Sequence, residues 1–150
     1  MALQNLLLLR HGEAHHGSPD DLRELSEEGY KEVIKSLSKA ANKIPAVDLV
    51  FHSGLVRAMQ TADIAVQQLA LDLHPQYLEG ISPWGDPTSF CKNLRTEQLE
   101  VVMVVTHNPF VEDLAEYLTG ETMRIKTGSL VCLDVDFLER GCCNLAWIQH

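Results

Sequence analysis

Arg10 and His11 follow directly on four leucines, Leu6 to Leu9, and lead into Gly12 and Glu13. An apolar run that ends in a basic pair and a glycine reads as a buried strand whose carboxyl end opens into a loop. The pattern recurs twice. Asp48-Leu49-Val50-Phe51-His52 runs into Ser53, with Arg57 about one turn inside the helix that follows, and Val101-Val102-Met103-Val104-Val105-Thr106 runs into His107. In open α/β sheets ligands bind outside the carboxyl ends of the strands, and those ends share one rim. The reading therefore gathers two guanidinium groups, two imidazoles and a hydroxyl on one edge of a sheet.

That set suits a phosphoryl group. Two guanidinium groups can hold its oxygens with paired, charge-assisted hydrogen bonds. A neutral imidazole can attack phosphorus and form a covalent intermediate that water later hydrolyses. A second, protonated imidazole can stabilise the oxygens as charge shifts in the transition state. His11, beside Arg10, is the natural nucleophile and His107 the natural second imidazole. Either histidine alone reads more readily as a satisfied, partly buried side chain. Together with Arg10 and Arg57 that bland reading needs several coincidences.

The elements around these residues follow from periodicity. Ser26 is a candidate N-cap, with Glu27 and Glu28 in the first turn of a helix carried by Tyr30, Val33, Ile34, Leu37 and Ala41 and ending between Asn42 and Pro45. A second helix runs through Val56, Ala58, Met59, Ala62, Ala65, Val66 and Leu69, with Ser53 as its cap, so that helix amides, a hydroxyl and Arg57 could face one anion. Pro75, Gly80, Pro83, Gly85 and Pro87 break up the next stretch, leaving a short edge strand at 76–78 and a modest helix at 88–99. Val101 to Thr106, apolar and β-branched, belongs at the sheet centre. Asn108 as cap and Pro109 as first helical residue open a further helix, which Gly120 closes. Leu130 to Val135 and Asn144 to Ile148 form a terminal strand pair. The polar stretch from His15 to Glu28 reads as a solvated loop and helix start.

Strands alternating with helices give an α/β three-layer sandwich around a mainly parallel, mixed sheet with one antiparallel edge. A length of 150 residues, 45% hydrophobic and 22% charged, fits a single domain over residues 1–150. The net charge of -9 argues against nucleic acid or anionic lipid as the main partner. The leucine run is too short for a membrane span, and its positive residue follows rather than precedes it, unlike a signal peptide, so the cytoplasm is the expected location. Cys91, Cys132, Cys142 and Cys143 lack CxxC spacing and read as reduced packing residues. His15 and His16 with Glu13 could suggest a metal, but adjacent histidines on a loop lack fixed ligand geometry.

Three stretches carry a resemblance to a known family. Leu9-Arg10-His11-Gly12-Glu13 is similar to the RHG signature of the histidine phosphatase, or phosphoglycerate mutase-like, superfamily. Ser53-Gly54-Leu55-Val56-Arg57-Ala58-Met59-Gln60-Thr61-Ala62 resembles its second motif, with Gly54 in place of a frequent proline, and Val104 to Pro109 resembles the third. The short length, Arg23 to Gly29 and Lys126 to Leu130 look most like the SixA-type phosphohistidine phosphatases. By position, the resemblance implies a phosphorylated His11, phosphoryl binding by Arg10 and Arg57, and His107 completing the pocket. Gly12 would let the backbone pass close to the phosphate; Ser53 and the Thr127-Gly128 loop are further contributors. No carboxylate cluster suited to magnesium accompanies the site, so the expectation is a metal-independent enzyme without a cofactor.

The general acid departs from the family pattern. Larger relatives that cleave phosphate esters use a carboxylic acid after the second motif; Glu79 is the first candidate here and Asp86 the second. A phosphoramidate can carry its own proton on the leaving imidazole, so a missing acid is tolerable for phosphohistidine and costly for an alkyl phosphate. Only about forty residues separate Thr61 from Val101, too few for a large lid, which suits a phosphorylated side chain on a protein surface. The first expectation is therefore a phosphatase acting on a phosphohistidine-bearing phosphotransfer protein. A phosphatase for small phosphate esters is the alternative, and an inactive phosphate-binding module a third reading. Trp84 reads equally as a recognition aromatic at the pocket edge or as a cap on the core.

Overall fold

A computed structural model describes residues 2–150. The apolar run at the amino terminus forms β1 (Asn5–Arg10), and α1 (Glu27–Ala40), β2 (Leu49–His52) and α2 (Val56–Gln68) follow. Then come β3 (Gln76–Tyr77), α3 (Pro87–Asn93), β4 (Val101–Thr106), α4 (Phe110–Thr119), β5 (Leu130–Val135) and β6 (Cys143–Gln149). The six strands form one sheet in the order β3-β2-β4-β1-β5-β6.

β1 and β4 lie at the centre, paired in parallel from Asn5 opposite Val101 to Arg10 opposite Thr106. β2 runs parallel to β4, and β3 to β2. The antiparallel strand is not at the edge, as expected from the sequence, but inside: β5 runs against β1 on one side and β6 on the other. The short connection from β5 to β6 forces that reversal, since adjacent strands joined by a tight turn must be antiparallel.

Alternation along the central strands divides the core in two. Leu6 and Leu8 of β1 and Val102 and Val104 of β4 pack with Phe90, Phe110, Val111 and Leu114 from α3 and α4. Leu7, Leu9, Met103 and Val105 pack with Val33, Leu37, Ala58 and Ala62 from α1 and α2. This is the three-layer sandwich, and both central strands are sealed on both faces, which accounts for their unbroken apolar sequence.

Element ends follow local chemistry. Ser26 caps α1 through its side chain, accepting from the Gly29 N–H at 3.0 Å. α3 begins at Pro87 under an Asp86 cap and ends at Asn93, well short of the expected Leu99, because Leu94 turns extended to bury its side chain. α4 begins at Phe110, with Pro109 rather than Asn108 as cap, and ends at Gly120 with φ 76°. The parallel arrangement places the carboxyl ends of β1, β2 and β4 side by side, and everything that follows depends on it.

Candidate active site

The main chain at Arg10 and His11 is held from two sides. His11 N–H donates to the Thr106 carbonyl at 3.0 Å, tying the end of β1 to the end of β4. From the other side Arg10 N–H donates to Ser129 O at 3.1 Å, while Gly128 N–H is shared by the Arg10 and His11 carbonyls at 3.0 Å each. Gly128 takes φ +75°, and a Cβ there would stand 2.8 Å from Glu32 Cγ, so glycine is required both by conformation and by space. The Thr127-Gly128 loop thus positions the Arg10-His11 backbone.

Gly12 has a structural reason to be glycine besides the one read in the sequence. A Cβ at Gly12 would lie 2.5 Å from the Gly29 carbonyl oxygen, so the residue is small to let the loop lie on the first turn of α1. Its N–H donates to Thr61 Oγ1 at 3.3 Å, and Thr61 in turn donates to the Arg57 carbonyl.

His11 is 8% exposed. Its Nδ1 lies 2.6 Å from the Gly12 carbonyl, and a carbonyl can only accept, so Nδ1 carries the proton and Nε2 keeps its lone pair. Burial pushes its pKa down to about 4; the Gly12 hydrogen bond opposes this, and the charges of Arg57, Arg10 and Arg23 reinforce it. The ring is neutral at pH 7.

His107 stands beside it, ring centroids 4.8 Å apart and planes tilted by 51°. Its Nε2 is 2.5 Å from Ser53 Oγ, and its buried Nδ1 has no partner. Burial, then the charges of His11 and the arginines, lower its pKa to about 2. The expected second, protonated imidazole is therefore neutral here, because it is buried, with the charges around it adding to the effect. Ser53 does not serve as the cap of α2, whose cap is Leu55; it holds His107 instead.

Each guanidinium is anchored through its outer nitrogens. Arg10 Nη1 donates to the Ile125 carbonyl at 2.9 Å. Arg57, 3% exposed, donates from Nη1 to the Asp20 carbonyl at 2.8 Å and from Nη2 to Asp20 Oδ2 at 3.2 Å. Burial lowers both pKa values, opposed by Glu112 and Glu32 at Arg10 and by Asp20 at Arg57. The Nε of each is buried without a partner. Among the described residues four buried side-chain nitrogens or oxygens lack partners: Arg10 Nε, Arg57 Nε, His107 Nδ1 and Asn108 Oδ1. Three lie on the predicted site residues and the fourth is next in the chain. A buried, unsatisfied polar group costs about 1–3 kcal/mol, so the unmet Nε donors of the two site arginines mark where an acceptor-rich ligand gains most.

The sequence reading missed two residues here. Asp20 and Arg23 read from the sequence as solvated loop, yet Asp20 joins two guanidinium groups, meeting Arg57 on Oδ2 and Arg23 Nε on Oδ1 at 3.0 Å. Burial works to raise the Asp20 pKa, but the hydrogen bond from Arg23 and the charge of Arg57 outweigh it and hold the carboxyl below its ordinary value. Arg23 also donates from Nη1 to the His15 carbonyl, closing the loop on itself.

Glu79 is exposed and lines a small crevice with Ser89, Phe90 and Leu94, and Leu78 before it donates its N–H to the His52 carbonyl at 2.9 Å, at the carboxyl end of β2. Asp86 is the cap of α3, accepting from Ser89 N–H and Oγ–H at 3.2 and 2.9 Å, and the Ser89 bonds hold its pKa down. Trp84 is 85% exposed and does not cap the core. Among the described residues no group of three or more His, Cys, Asp or Glu could hold a metal ion, the pair His15 and His16 with Glu13 included. No helix is long and apolar enough to cross a membrane.

The family model of the histidine phosphatase superfamily, branch 1, matches residues 6–82. No curated protein sequence matches the chain. Among solved structures, the protein histidine phosphatase SixA complexed with tungstate is 25% identical with a TM-score of 0.85, over 97% of this chain and 96% of that one. The SixA protein of Agrobacterium tumefaciens is 23% identical with a TM-score of 0.84, over 99% and 98%. That of Nakamurella multipartitia is 18% identical with a TM-score of 0.80, over 98% and 95%.

Proposed function

The chain belongs to the histidine phosphatase superfamily, and from that premise we propose that it hydrolyses phosphohistidine on a protein through an intermediate phosphorylated on His11. The observation that carries this reading is the state of His11: neutral, its Nδ1 proton tied to the Gly12 carbonyl and its Nε2 lone pair free, beside Arg10 and Arg57. Such an imidazole is a nucleophile without further activation. The likeness to a phosphohistidine phosphatase that holds tungstate, a tetrahedral oxyanion, supports the same site.

The proposed reaction has two steps. Nε2 of His11 attacks phosphorus as the bond to the substrate imidazole breaks, and that imidazole leaves neutral, keeping the proton on its other nitrogen. His11 becomes a phospho-imidazolium whose positive charge faces the Gly12 carbonyl. Water then attacks phosphorus, the electron pair returns to Nε2, and inorganic phosphate leaves with both water protons. Arg10 and Arg57 hold the phosphoryl oxygens throughout, and the charge they carry counts most where charge builds up in the transition state. His107, neutral in the free site, gains a reason to bind a proton once the phosphoryl dianion arrives.

The candidate acids favour phosphohistidine over phosphate esters. An alkoxide leaving group needs a proton, but Asp86 is engaged as a helix cap and Asp20 is held ionised by two arginines, which leaves the exposed Glu79 as the acid to be tested. Phosphoryl exchange between two imidazoles needs none of them. The chain has no large insertion between β3 and β4 to enclose a metabolite, which supports a substrate presented on a protein surface.

The test is phosphate release from a phosphohistidine-bearing protein and from a panel of small phosphate esters, each with and without a chelator. Preference for the phosphohistidine protein, insensitive to chelation, is the expected result. Preference for esters would transfer the assignment to small-molecule substrates, release from neither would leave a binding module, and loss of activity on chelation would overturn metal independence.

A further inference from the structure

Beside the phosphoryl site a groove of about 370 Å³ runs from Arg10 along the segment that follows α4, lined among others by Asn108, Glu112, Arg124, Ile125 and Lys126. Its floor is fixed. Ile125 is fully buried, its N–H donates to Glu112 Oε2 at 2.8 Å and its carbonyl accepts from Arg10 at 2.9 Å, so the backbone between Arg124 and Lys126 is held at both polar atoms. Glu112 is thereby occupied. Arg124 and Lys126 are exposed, and no acidic side chain among the described residues pairs with either.

Two unpaired cations on a rigid floor next to the catalytic arginine are notable in a chain of net charge -9. Such a protein repels an acidic partner everywhere except where positive charge is local, so those cations set the orientation of approach. Because Arg10 itself lines the groove, a phosphohistidine held by Arg10 would place its flanking chain there.

We propose that this groove is a specificity site for the substrate polypeptide, in which Arg124 and Lys126 receive aspartate or glutamate side chains flanking the phosphohistidine. The proposal rests on the phosphohistidine phosphatase reading and adds the chemistry of the partner segment. Exposed ion pairs are individually weak, so the site selects between partners and sets encounter rates and does not hold the substrate by itself.

Three probes test it: a peptide with a central phosphohistidine flanked by glutamates, the same peptide flanked by glutamines, and free phosphohistidine. The wild type should favour the glutamate peptide in kcat/KM by about tenfold, through KM, with the preference shrinking as salt is raised. The double variant Arg124→Glu/Lys126→Glu should lose or reverse that preference while its turnover of free phosphohistidine stays unchanged. Both side chains are exposed, so the fold is not at stake. Equal kcat/KM for the two peptides in the wild type, or a preference that survives charge reversal, would overturn the proposal. Failure to turn over any of the three probes would overturn the catalytic reading instead. The groove is then decided by binding of the unphosphorylated glutamate peptide: loss on charge reversal sustains it, and equal binding sinks it.

Discussion

The site is made of two halves built in opposite ways. One half hangs from strand ends: Arg10, His11, Ser53 and His107 continue β1, β2 and β4, and their backbones are tied to one another and to Gly128. The other half is delivered by a loop. Asp20, with a side chain 65% exposed, crosses from the segment between β1 and α1 to grip Arg57 and Arg23. The first half is held by the packing of the whole sheet, so its geometry is nearly as stable as the fold. The second depends on a few hydrogen bonds at the surface, where local opening costs far less than global unfolding. On the proposed mechanism the chemistry belongs to the rigid half, and the loop half adjusts how well one of its arginines is aimed.

The largest effect should come from the rigid half. His11→Ala should reduce phosphate release to the uncatalysed background and abolish labelling of the protein by a radioactive phosphohistidine donor, because His11 Nε2 is the proposed attacking atom, while His107 Nε2 is engaged by Ser53 and its Nδ1 is buried. Retained hydrolysis would remove His11 as nucleophile. The same variant should change acid stability in a defined direction. The His11 pKa is lowered from 6.5 to about 4, so below pH 6.5 the unfolded chain binds a proton that the folded chain refuses. Folding stability is therefore lost as pH falls from 6.5 towards 4, at up to about 1.4 kcal/mol per pH unit for this group. Chemical denaturation across that range should show a shallower decline in His11→Ala than in the wild type.

Arg57→Ala comes next. It removes a guanidinium that carries charge stabilisation and ties the two halves together, and loss of one such donor typically lowers kcat by about 10²–10³-fold. A near-normal rate would remove Arg57 from the site. Because Arg57 is buried, the variant's thermal midpoint must be followed alongside, so that a fall in rate is read only from folded protein.

These two halves were unequally legible in the sequence. Apolar runs that stop at a basic or hydroxyl residue betray both a buried strand and the functional end of it, which is why Arg10, His11, Ser53, Arg57 and His107 could be named before the fold was seen. The period says nothing about a loop that returns from solvent. Asp20 and Arg23 lie among Asp21, Glu24, Glu27 and Glu28, and only the three-dimensional path places one carboxylate between two arginines. Gly12 carries a second demand that the sequence does not show, since a Cβ there would meet the Gly29 carbonyl of α1. His107 was assigned a charge that burial among three arginines denies it in the free site.

The loop half is tested by Asp20→Asn, which keeps the shape and the main-chain contact to Arg57 but removes the charge. If Asp20 aims Arg57, kcat/KM should fall by about tenfold, the scale of one charge-assisted hydrogen bond, and Asp20→Glu should restore part of it. If the carboxylate instead competes with the phosphoryl group for Arg57, the variant should bind inorganic phosphate more tightly and turn over faster. The geometry favours aiming: Asp20 engages Nη1 and Nη2 and leaves Nε, the edge without a partner, for another anion.

The smallest effect is expected at Glu79, and it separates substrate classes more sharply than any loss of activity. Glu79 is exposed, and phosphoryl transfer from one imidazole to another requires no external acid. Glu79→Gln should therefore leave kcat on phosphohistidine within about twofold of the wild type, the range expected when no transition-state contact is removed. A tenfold or larger fall would mean that the loop after β3 closes over the site during turnover and delivers a proton. It would also enlarge the rigid half, since Glu79 directly follows β3 and Leu78 is bonded to the end of β2, so the strand ends would then supply the proton as well as the nucleophile.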